Sequence, residues 1–96
     1  MTTIASKTVT TENSFTDAVQ IIGWFNLSIS GTFVATVVVQ RSIDNSTWLD
    51  VDSFTAGTER VGMEPEVIWY RAGVKTGGFT SGSVVIRLGQ QGDFKS

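Results

Sequence analysis

Cysteine and histidine are both absent from this chain of 96 residues, and proline occurs once, at Pro65. Without cysteine there is no disulfide staple and no thiolate metal site, although small secreted domains commonly carry such bridges. The expectation is a protein made in the cytosol, or one stabilised by assembly. Without histidine the commonest general base and the commonest zinc ligand are both missing. No run approaches the ~20 apolar residues of a membrane span. The polar, alternating residues 1–17 lack the apolar centre of a signal peptide. A net charge of −2 offers no basic stripe for nucleic acid, so neither nucleic acid nor membrane is an expected partner.

What is present is the composition of strands and tight turns, rich in valine, threonine and glycine. The length suits one domain with one core, which at this size buries roughly 60–65% of the unfolded surface. The clearest stretch runs from Phe33 to Phe54. Phe33, Ala35, Val37 and Val39 alternate onto one face, Asp44-Asn45-Ser46 makes a turn, and Trp48 to Val51 starts a return strand. Trp48, Asp50, Asp52 and Phe54 share one side of that return, Leu49 and Val51 the other. The outgoing strand is half apolar on its second face too, at Val34 and Val38, so that face requires cover from a loop or another subunit.

The remaining segments follow the same period of two. Residues 2–12 read as an edge strand, an arm lying on a neighbour or a frayed terminus, with Ile4 and Val9 their only large apolar residues; Phe15 is an isolated apolar anchor. Residues 18–22 and 24–30 read as two strands around Gly23, the second with Phe25, Leu27 and Ile29 inward and Trp24 on the polar side. Residues 59–62 are a short segment and 63–66 a loop, because proline is excluded from a central strand. Residues 67–76 place Ile68, Tyr70, Ala72 and Val74 inward, with Val67, Trp69, Arg71 and Lys75 opposite. A glycine-rich loop, 76–82, leads to a last strand over 83–90 with Val84, Ile86 and Leu88 inward and Val85 and Arg87 outward. The sum is a single antiparallel β-sandwich of seven or eight strands, jelly-roll or immunoglobulin-like. An N-terminal arm, 1–14, and a polar C-terminal tail, 91–96, flank it.

No constellation carries chemistry. Asp44, Asp50 and Asp52 lack the spacing of a calcium loop and read as a solvated strand face. Glu64 and Glu66 stand as a possible carboxylate pair with nothing around them to suggest a sugar cleft. Serines have no histidine to activate them, the glycines sit in hairpins and not before a helix, and no cofactor or metal is expected. Asn26-Leu27-Ser28 and Asn45-Ser46-Thr47 match the glycosylation triplet, the second being explained by turn chemistry. The chain reads as a non-enzyme.

The aromatic and apolar residues on outward faces are more informative. Trp24, Val34, Val38, Trp69, Arg71, Val85 and Arg87 are the candidate protein–protein contacts, since aromatics and arginine dominate interface energetics. A satellite core under folded-over loops and a carbohydrate platform on Trp24, Trp48 or Trp69 are the alternatives.

Two stretches carry a family likeness: LSISGTFVATVVVQRSIDNSTWLDVDSFT (residues 27–55) and ERVGMEPEVIWYRAGVKTGGFTSGSVVIRLGQ (residues 59–90). The strand ending Gln40-Arg41-Ser42-Ile43-Asp44, the return Thr47-Trp48-Leu49-Asp50-Val51, the Glu59 to Pro65 segment and Tyr70-Arg71-Ala72-Gly73 resemble small virion proteins of tailed bacteriophages. Asn45-Ser46 stands where a glycine-containing turn is more usual in that family. The resemblance implies a structural protein of the particle, best matched by the small all-β capsid decoration or cement proteins. Its expected partners are the major capsid protein and copies of itself, and its expected place is the capsid surface after synthesis in the host cytoplasm. A tail or head–tail junction component and a carbohydrate- or host-surface-binding module are the competing expectations.

Overall fold

The structure is a computed structural model that describes residues 2–90. It is all-β: β1 (Thr2–Val9), β2 (Ser14–Phe15), β3 (Val19–Ser30), β4 (Phe33–Ala35), β5 (Val37–Ser42), β6 (Leu49–Phe54), β7 (Thr58–Val74), β8 (Phe79–Gly82) and β9 (Val84–Gln90). Seven of these form one antiparallel sheet in the order β1-β9-β3-β7-β5-β6, with β2 on β7, while β4 and β8 pair separately. The long strands β3 and β7 form the spine. β9 and β1 extend the sheet from the second half of β3, and β5 and β6 extend it from the second half of β7.

Both wings turn the same face onto one apolar cluster. Ala5, Val9, Ile21, Leu27, Ile29, Val37, Val39, Phe54, Ile68, Tyr70, Ala72, Val74, Val84, Ile86 and Leu88 are buried together. The sheet therefore folds over itself as a sandwich. Its shortest extent of 17 Å leaves room for two layers and no more. Phe33, Ala35 and Phe79 of the small sheet pack against the same cluster. The alternation read from Phe25-Leu27-Ile29, Ile68 to Val74 and Val84-Ile86-Leu88 matches the side chains that form this core. The C-terminal tail lies outside the described residues, and Thr2–Val9 is the edge strand of the main sheet.

Four expected boundaries are corrected. The strand over 33–40 divides at Thr36: β4 pairs with β8 and β5 with β6 and β7, while the Thr36 N–H donates to the Gly78 carbonyl at 2.8 Å. The segments 59–62, 63–66 and 67–76 are one strand, β7, and Pro65 lies inside it. The register explains how proline is accommodated: Ile21 pairs with Ile68 but Gly23 with Glu64, so residues 65–67 bulge opposite Ile22. Pro65 has no N–H to donate, and the bulge asks for none. The same bulge, with Gly23 at φ 77°, joins 18–22 and 24–30 into the continuous β3. Finally, the 76–82 loop contains β8.

The central turn behaves as its residues suggest. Asn45 adopts φ 60°, and Asp44 Oδ1 accepts from the Ser46 and Thr47 N–H groups at 2.9 and 2.8 Å and from Ser42 Oγ at 3.0 Å. These bonds, that from Thr47 foremost, hold the Asp44 carboxyl below its usual pKa.

Candidate functional site

β5 is buried on both faces, at Val37, Val38, Val39, Gln40 and Ser42. Its second face is covered by the chain itself. Val38 and Phe15 both pair with Gly73 on opposite edges of β7, and the missing side chain at Gly73 makes room for Phe15. A Cβ there would lie 2.5 Å from Phe15 Cα and 2.7 Å from its Cγ. Thr16 secures this cover: its N–H donates to the Ala72 carbonyl at 2.8 Å, and the Ala72 N–H donates to Thr16 Oγ1 at 3.1 Å. The guanidinium of Arg71 lies over the rings of Phe15 and Trp48, 4.7 and 4.4 Å from their centroids. Arg71 Nε donates to Gln40 Oε1 at 2.7 Å, Gln40 Nε2 donates to Asp50 Oδ1 at 2.8 Å, and Asp50 Oδ2 pairs with Lys75. Lys75 and then Gln40 lower the Asp50 pKa, and burial lowers that of Arg71.

The other half of the spine is uncovered. Trp24 pairs with Met63 and Asn26 with Val61 across β3 and β7, and Ile22 and Val67 flank the bulge on the same outer side. Ile22, Trp24, Val61, Met63 and Val67 are 49–70% exposed. Together they make a contiguous apolar face in the middle of the sheet. Scattered surface apolar residues need no explanation, but a contiguous set marks a contact site. Polar pairs border it: Arg87 Nη1 donates to Asn26 Oδ1 at 3.2 Å and Arg87 Nε to Thr3 Oγ1 at 2.6 Å, while Ser28 Oγ donates to Glu59 Oε2 at 2.5 Å.

The seven candidate contact residues thus fall in different settings. Trp24 is the centre of the bare face. Trp69 is half-buried, opposite Gln20 and Ser42, between the bare and covered regions. Val38 is buried by the chain's own residues, Arg71 stands in the Phe15–Trp48 frame, and Arg87 belongs to the polar border. Val85 is exposed on β9 opposite Ser30, and Val34 is exposed on β4, off the main sheet. Ile22, Val61, Met63 and Val67 were missed. Their signal was present: Met63 and Val61 alternate with Gly62 and Glu64, but the proline disguised a strand as a loop.

The acidic residues occupy separate settings. Glu64 is 5% exposed and is held by Arg41, whose Nε and Nη2 donate at 2.7 and 3.0 Å, and by the Tyr70 hydroxyl. Arg41 keeps the Glu64 carboxyl below its usual pKa against the opposing effect of burial, and burial and Glu64 raise the Tyr70 pKa. Glu66, by contrast, is exposed, and none of the bonds that hold Glu64 involves it. Among the described residues no three acidic side chains converge to hold a metal ion, and no helix is long and apolar enough to cross a membrane. A cleft of about 390 Å³ beside the small sheet is lined by Phe33, Val34, Ala35, threonines and glycines, with no titratable group.

No family model, curated protein or solved structure matches this chain.

Proposed function

We propose that the chain is a structural protein of a tailed-bacteriophage particle, a capsid decoration or cement protein that binds the outer capsid surface. The observation that carries this reading is the bare apolar face at Ile22, Trp24, Val61, Met63 and Val67. A lone domain gains nothing by exposing these side chains, whereas burying each against a partner is worth roughly 1.5–3 kcal/mol. An apolar centre with a polar border is the anatomy of a protein interface. The likeness of residues 27–90 to small virion proteins supplies the setting, with the major capsid protein and further copies of the chain as partners.

The sheet edges support contact through this face instead of strand addition. β1 skips Ile4 in its register with β9, β6 skips Val51 and carries Asp50 and Asp52, and β7 bears Pro65 along the stretch that β5 leaves unpaired. Bulges, charges and proline are the devices that blunt an edge. A sugar platform is less favoured because most side chains around Trp24, at Ile22, Met63 and Val61, are apolar, with Asn26 the polar neighbour along β3.

The test is the protein's place in purified particles. Mass spectrometry and cryo-electron microscopy are expected to find it in a regular array on the capsid, and particles lacking it should break at lower temperature. Finding it at the tail alone would replace decoration by the tail reading; finding it in neither place would end both.

A further inference from the structure

Arg71 holds a positive charge that no carboxylate of the described residues neutralises. Arg41 has Glu64 and Lys75 has Asp50. Arg71 makes one side-chain hydrogen bond among the described residues, from Nε to Gln40 Oε1. Gln40 is 6% exposed and fixed in turn by Asp50, so the inner edge of the guanidinium is locked. Phe15 and Trp48 lie against it. The two η nitrogens have no partner among the described residues. They are not sealed in either, since no buried side-chain nitrogen or oxygen lacks a bond. Two donors thus keep some access to solvent on a side chain that Gln40, Phe15 and Trp48 hold in place.

We infer that the outer edge of Arg71, framed by Phe15 and Trp48, binds a carboxylate side chain of the protein that docks on the bare face. This rests on the reading of that face as a protein contact. Val61, Met63, Val67, Trp69 and Arg71 lie along one side of β7, so the arginine stands at the border of the apolar patch, where charged pairs belong. The planar fork matches a carboxylate with two parallel bonds, and its immobilisation removes an ordering cost from binding. A carboxylate is favoured over phosphate because the partner on that face is read as a protein, whose anionic side chains are carboxylates that match the fork.

The test is a titration of the isolated protein, followed through the ¹H–¹⁵N signals of the arginine Nε–H groups. Sodium acetate, a capped aspartate (N-acetyl, N-methylamide) and inorganic phosphate are added in turn, each against sodium chloride at equal ionic strength. The Arg71 signal, assigned by its loss in Arg71→Lys, is expected to shift saturably with both carboxylates. One charge-assisted contact gives a midpoint on the order of 10–100 mM. Arg60, over the Phe54 ring at 5.4 Å with no hydrogen-bonded partner among the described residues, serves as the unframed control and should not saturate. Trp48→Leu should raise the Arg71 midpoint several-fold; if it unfolds the protein, the wild-type titration decides alone. An Arg71 response no different from that of Arg60, a phosphate midpoint as low as that of acetate, or acetate binding without capped-aspartate binding would each overturn the inference. A negative titration with the protein present on particles removes this site alone. A positive one with the protein absent from particles removes the virion reading alone.

Discussion

The outer sides of the sheet at the two halves of β7 both carry apolar side chains, yet they are treated differently. Around Gly73 the chain covers its own sheet: Phe15 fills the space that glycine leaves, Trp48 closes from the other side, and Val38 is sealed beneath. Around Met63 there is no such cover, and Trp24 and its neighbours stand in solvent. The covered half shows that this sequence can hide an apolar outer face with two aromatic residues and a glycine. The other half stays bare in the chain alone, with its edges blunted, and the proposed partner contact rests on that contrast.

Between the halves, the Arg41–Glu64–Tyr70 cluster ties β5 to β7, and its loss should have the largest effect. Glu64→Ala leaves Arg41 and the Tyr70 hydroxyl without their acceptor, and urea unfolding should show a loss of about 2–4 kcal/mol; Arg41, being partly solvated, keeps the value below that of a fully buried pair. The same cluster sets two limits on pH. The lowered Glu64 pKa contributes stability that is complete above the ordinary glutamate value near 4.3 and is lost as pH falls through the lower folded value. The raised Tyr70 pKa contributes stability that is complete below about 10 and declines as pH rises from there towards the folded value. Glu64→Gln should flatten the acid limb of a stability–pH profile; an unchanged limb would mean other carboxylates set it.

Next is the covered region. Gly73→Ala should cost about 1–3 kcal/mol by forcing Phe15 off the sheet, and hydrogen exchange should rise at Thr16 and Ala72. If exchange there stays at wild-type rates, the cover does not depend on Gly73. Trp48→Ala should cost less, about 1–2 kcal/mol, combining partial burial with the loss of one ring against Arg71. The smallest effect belongs to the bare region. Trp24→Ser with Met63→Thr should leave stability within about 0.5 kcal/mol of wild type while reducing occupancy on particles at least tenfold. Equal losses of stability in both regions would abolish the distinction between them.

The sequence made the core faces legible where an inward strand alternates without interruption, as in Val84-Ile86-Leu88. It also posed the right question at Val38, whose outward apolar position required a cover, whereas Val34 is left exposed. Its answer was hidden because the cover comes from Phe15, far away in sequence, and depends on register placing Phe15 opposite Gly73. Thr36 gave no sign of the break between β4 and β5, since threonine suits a strand and the break is set by Gly78. Pro65 misled in the opposite direction: it argues for a loop unless a bulge removes the need for its N–H. That misreading concealed Met63 and cut Val61 off in a short separate segment, so two of the five residues of the bare face were lost. Glu64 was visible as a carboxylate, but its burial depends on Arg41 and Tyr70 arriving from other stretches of chain.

The most direct test of the completed face is oxidative footprinting of Trp24 and Met63, compared between the free protein and intact particles. Both side chains are more than half exposed in the chain alone, so both should label readily when free and be protected at least about tenfold on the particle, where interface residues are desolvated. Equal labelling in the two states would mean that the bare face stays bare, and that the contact lies elsewhere.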